Sequence, residues 1–86
     1  MYTITFKKQP IKALRAMPPH EAQRIRHQLS SLAEDPLRRD VDVTALTNRS
    51  GFRLRVGGRR VIFERDDAMR CIDVLRVGPR GDVYGD

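Results

Sequence analysis

Between Gly51 and Arg65 the chain reads GFRLRVGGRRVIFER, two alternating apolar runs on either side of a Gly-Gly pair. Side chains in a strand alternate between faces, so Phe52, Leu54 and Val56 point one way while Arg53 and Arg55 point the other. Gly57-Gly58 fits a tight primed turn, which needs positive φ and sends the chain back antiparallel. From Arg59 to Arg65 a second strand puts Val61 and Phe63 on one face and Arg60, Ile62 and Glu64 on the other. A hairpin of this kind has to be covered on its apolar face. It also carries Arg53, Arg55, Arg59, Arg60 and Arg65, and that repulsion is a cost that folding alone does not require.

The rest of the chain supplies the cover. Tyr2–Phe6 alternates β-formers, with Tyr2, Ile4 and Phe6 on one face. Pro10 suits a first helical turn, and Ile11, Ala13 and Leu14 support a short helix ending near Met17, broken by Pro18-Pro19. Ala22, Ile25, Leu29 and Leu32 follow at spacings of three, four and three, the apolar stripe of a second helix. Asp35-Pro36 ends it, because the residue before a proline avoids helix. Residues 36–50 read as a polar connection around Val41, Val43 and Leu46, with 48–51 as a turn. Arg70–Val77 is nearly continuously apolar from Cys71 to Leu75 apart from Asp73, as suits an interior strand. The expected order is β-α-α-β-β-β in one domain spanning residues 1–86. This is an α+β fold with a helical hairpin on one face of an antiparallel sheet and the other face open.

Charge decides which partners such a face suits. Seventeen basic residues against eleven acidic ones leave a net charge of +6, which favours a polyanion, either nucleic acid or an acidic protein. Only Lys7, Lys8 and Lys12 are lysines, and arginine is the side chain that grips phosphate bidentately. Cys71 is alone, so neither an intrachain disulfide nor a cysteine metal cluster is expected, as in a reducing cytosol. No apolar stretch reads as a signal peptide or membrane span. A cytoplasmic protein without membrane contact is the expectation.

With the apolar side of the hairpin packed under helices, Arg53, Arg55 and Arg60 stand on the open face. Arg76, near the end of the last strand, and Arg80, just after it, are expected to close the group from the other side, with Glu64 as almost the only acid nearby. Tyr84 lies four residues beyond Arg80, and an aromatic beside guanidinium groups is what single-stranded RNA recognition uses. His20 and His27 fall on the second helix, away from this group, and no metal cage is apparent.

The order β-α-α-β-β-β, the segment FRLRVGGRRVIFE and the ending LRVGPRGDVY resemble the RelE/ParE superfamily of bacterial type II toxins. The similarity is strongest from Asp42 to Tyr84 and is nearer the RelE branch of ribosome-dependent mRNA endonucleases. It implies the RelE-like microbial RNase fold and cleavage of mRNA in the decoding site of the 70S ribosome. The 2′-hydroxyl would attack its neighbouring phosphate without metal or cofactor. Arg53, Arg55, Arg60, Arg80 and Tyr84 would then be the catalytic residues. The resemblance also implies a cognate antitoxin with an acidic, partly disordered segment, and contact with operator DNA only through it. Arginines stand on the first hairpin strand where the best-known member has lysines, and a guanidinium is a poor general base. Glu64 is the nearest carboxylate expected on that face. Pro79 and Arg59 replace a basic and an aromatic residue common in the family. ParE-like relatives share the fold but inhibit DNA gyrase without nuclease chemistry, which is the alternative function.

Overall fold

The last of the described strands lies inside the sheet and has the first strand beside it. In the structure, a computed structural model that describes residues 1–79, the elements run as follows: β1 (Thr3–Phe6), α1 (Lys8–Ala16), α2 (Pro19–Glu34), β2 (Asp42–Ala45), β3 (Phe52–Val56), β4 (Arg59–Asp66) and β5 (Cys71–Pro79). The sheet order is β1-β5-β4-β3-β2. Strands β2 to β5 form an antiparallel meander, whereas β1 pairs parallel with β5, Thr3 opposite Cys71 and Phe6 opposite Val74.

The α+β architecture is the one expected, with two differences. The sheet is mixed, because the two helices carry the chain from one sheet edge to the other before the meander begins. Residues 36–50 also contain a strand, β2, with Val43 opposite Leu54. It is short and pairs on one side only, so its sequence needed little apolar content.

Both helices cover one face. Leu14 of α1 and Ala22, Ile25, Leu29 and Leu32 of α2 are buried against Leu54, Val61, Phe63, Ile72, Val74 and Val77. Leu29 is fully buried, and truncating a leucine so placed typically costs about 2–5 kcal/mol. Pro19 occupies the first helical position of α2, where its missing N–H would have had no partner in any case.

One irregularity sets the phase of the site. The pairing of β4 with β5 shifts between Ile62 and Phe63, so that Ile62 faces Arg76 and Phe63 faces Val74. Leu75 is the extra residue of a bulge. Core residues on β5 therefore fall at Ile72, Val74 and then Val77, and Arg76 turns outward instead of into the core. Gln9 of α1 holds this region. Its Nε2 donates to Val77 O and its Oε1 accepts from Val77 N, both at 2.8 Å, beyond the point where β1 stops pairing.

Candidate nucleic-acid interface

The Gly57-Gly58 turn fixes the register of the hairpin. Only Gly57 has positive φ, at 61°, as in a II′ turn with glycine at its first central position. Arg55 is thereby set opposite Arg60, and Arg53 opposite Ile62. Cross-strand partners share a face, so two rows run across the sheet side away from the helices. The first is Asp42, Arg55, Arg60 and Gly78, and the second is Thr44, Arg53, Ile62 and Arg76. Arg55 and Arg76 are exposed, while Arg53 and Arg60 are half-buried. Ile62 is only 1% exposed yet lies outside the main core, an apolar floor between two guanidinium-bearing strands. Asp42, Arg55, Arg59, Arg60 and the two turn glycines line a cleft of about 410 Å³ at the hairpin end.

Arg53, Arg55, Arg60 and Arg76 thus share one face, as expected. Arg80 and Tyr84 lie outside the described residues. The expectation that Glu64 is almost the only acid on this face does not hold. Asp42 stands beside Arg55, and Asp73 lies opposite Glu64 in a third row. Thr5 Oγ1 donates to Asp73 at 2.9 Å, Lys7 Nζ lies 3.4 Å from it, and Ser50 Oγ donates to Glu64 at 3.0 Å. The face is polarised, basic at the Gly57-Gly58 end and acidic at the other. There, Glu64, Asp66, Asp73 and Cys71 border a depression of about 800 Å³. The alternation VDV at 41–43 was the available signal for Asp42, but its pairing partner on the next strand cannot be read from it.

The other two hairpin arginines serve the fold. Arg59 pairs opposite Val56, and its Nε lies 2.9 Å from Glu21 Oε1 on α2. Arg65 lies over the Phe52 ring at 4.9 Å and its Nε is 2.8 Å from Asp67 Oδ1. Phe52 in turn stacks on Phe63, with ring centroids 5.4 Å apart. His20 lines the helix side of the turn with Arg24 and Arg59, and His27 is exposed on α2. Among the described residues no group of three or more His, Cys, Asp or Glu side chains is placed to hold a metal ion. No described helix is long and apolar enough to cross a membrane.

The arrangement can hold a phosphodiester. Guanidinium groups from adjacent strands offer several N–H donors to one anion, in a cleft that concentrates their field.

No protein-family model matches the chain, and no curated protein does. Solved structures do. A chain of the archaeal RelE–RelB complex from Pyrococcus horikoshii is 28% identical, with a TM-score of 0.78 covering 95% of this chain and 98% of that one. A chain of the toxin–antitoxin complex RelBE2 from Mycobacterium tuberculosis is 26% identical, with a TM-score of 0.76 over 92% and 98%. The isolated RelE toxin of E. coli, at 18% identity, shares the fold with a TM-score of 0.70 over 98% and 89%.

Proposed function

We propose that this chain, a member of the RelE-like toxin superfamily, is the toxin of a type II toxin–antitoxin system that cleaves mRNA in the decoding site of the ribosome. The observation that carries this reading is the Arg55–Arg60 pair on the sheet face opposite the helices, flanked by Arg53 and Arg76. Cleavage by the 2′-hydroxyl passes through a phosphorane-like state with more negative charge on its oxygens than the substrate phosphate. Donors already in place for that charge are the largest single aid a protein can give such a reaction. Arg53, Arg55 and Arg60 supply it from the sheet. By the family resemblance, Arg80 has the role of stabilising charge on the leaving 5′-oxygen, and Tyr84 that of stacking on an unpaired base.

The partners follow from the same charge. Ribosome-bound mRNA is the substrate. A cognate antitoxin is the controlling partner, a reading supported by the RelE–RelB and toxin–antitoxin complexes among the similar structures. An acidic segment folding onto a toxin of net charge +6 suits that role. Operator DNA is reached only through the antitoxin, no cofactor takes part, and the place of action is the cytoplasm.

Purified toxin incubated with programmed ribosomes tests this, with mRNA ends mapped by primer extension. Codon-spaced cuts are expected. Intact mRNA together with inhibited gyrase supercoiling would replace this reading with the ParE-like one.

A further inference from the structure

An arginine-lined site lacks a proton acceptor, because the guanidinium keeps its protons in proteins. We infer that Asp42 accepts the proton of the attacking 2′-hydroxyl in this chain, an assignment that rests on the ribonuclease reading above. Asp42 is the cross-strand partner of Arg55, which is the partner of Arg60, and the three line one cleft. Its carboxylate is exposed, and no ion pair or side-chain hydrogen bond engages it among the described residues.

Among the described residues, the other carboxylates near the face are further away or occupied. Glu64 is four residues along β4 from Arg60, about 13 Å of strand, and accepts from Ser50. Asp73 lies in Glu64's row and is held by Thr5 and Lys7. Glu21 is tied to Arg59 on the helix side. Asp42, in contrast, is one strand spacing from Arg55, about 5 Å between backbones, so a phosphate held by Arg55 and Arg60 brings its 2′-hydroxyl within the reach of a short side chain.

The 2′-O–H proton passes to the Asp42 carboxylate as O2′ bonds to phosphorus. The P–O5′ bond breaks, and the 5′-oxygen takes a proton from water in the open cleft. Asp42 then returns its proton to solvent. The products are a 2′,3′-cyclic phosphate and a free 5′-hydroxyl.

The test compares wild-type toxin with D42N and D42E on ribosome-bound mRNA across pH, alongside affinity for a non-cleavable 2′-deoxy analogue of the mRNA and circular dichroism to check folding. Asparagine has the same shape but cannot take the proton. The rate should fall by about 10²–10⁴-fold in D42N, while affinity for the analogue is unchanged or higher because a negative charge has been removed. D42E should recover part of the rate. The wild-type fall in rate on the acid side should be missing from the residual D42N activity. A folded D42N with wild-type rate overturns the assignment. So does a slow D42N that keeps the wild-type acid limb, since Asp42 would then only position its neighbours. Wild-type toxin that leaves mRNA intact on the ribosome overturns the ribonuclease reading itself and this assignment with it.

Discussion

Arg55 and Arg60 are directly opposed across β3 and β4, two like charges on the face the helices leave open. Like charges directly opposed destabilise a sheet, and on the proposed reading a phosphate between them would turn that cost into binding. R55A or R60A should therefore leave the chain folded and reduce cleavage. If each arginine acts as a preorganised donor, the loss is about 2.7–4 kcal/mol of transition-state stabilisation, roughly 10²–10³-fold in rate. R80A should do the same. Growth inhibition on induction, with circular dichroism to confirm folding, is the measurement. Full toxicity in a folded double variant would remove these arginines from the mechanism.

The turn that sets this register can be tested by two neighbouring substitutions. Gly57 has φ 61°, and a Cβ there would stand 3.1 Å from Arg24 Nη1, whereas one on Gly58 would meet nothing within 4 Å. G57A should cost about 1–2 kcal/mol for its left-handed backbone, and G58A should stay within about 0.5 kcal/mol. Urea unfolding of both variants gives the comparison, and equal midpoints would contradict it.

Gln9 reaches Arg76 through the bulge. Its amide satisfies both the N–H and the C=O of Val77, the residue next to Arg76. Q9A should cost about 1–3 kcal/mol by leaving those partly buried groups unsatisfied. It should also lower cleavage, although Gln9 is not on the open face. Thermal unfolding and primer extension read the two effects separately.

The Tyr2–Asp67 hydrogen bond, 2.7 Å long, gives stability a pH dependence of known sign. The bond from Tyr2, and then Arg65, hold the Asp67 carboxyl below its ordinary value, while the same bond raises the Tyr2 phenol above 10.0. Asp67 therefore contributes stability above its unfolded value, near 3.8, and that contribution is lost as pH falls through the lowered folded value. Tyr2 contributes below its unfolded value and is lost as pH rises through the raised one. D67N should soften the acid-side decline and bring Tyr2 back down. Tyrosinate absorbance in a Y84F background, where Tyr2 is the remaining one of two tyrosines, follows it directly.

Control by the antitoxin should carry the electrostatic signature of a basic surface. Between about 50 and about 500 mM salt the Debye length shrinks roughly threefold, so association should slow while dissociation, set by apolar contacts, changes less. Stopped-flow association of the cognate pair measures this. A flat association rate would reserve the arginine face for mRNA.

How much of this was legible beforehand differs from residue to residue. The stripe Ala22, Ile25, Leu29 and Leu32 identified α2 and its buried side. Alternation through 52–65 put Arg53, Arg55 and Arg60 together on the uncovered face. These are local periodicities, and one strand or helix carries them entirely. What faces each side chain across the sheet is a non-local matter. Asp42 became the neighbour of Arg55 only when a four-residue edge strand, too short to announce itself, paired with β3. The parallel place of β1 beside β5 depended on the helices crossing the sheet. Arg76 faces outward because the extra residue at Leu75 reverses the alternation, and that bulge exists only in the pairing of β4 with β5. Strand period, read from the sequence alone, determined that Arg53, Arg55 and Arg60 share the uncovered face, whereas Arg76 joins them only through the bulge. Tertiary pairing decided that the face has an acidic end, and that a carboxylate stands within its basic one.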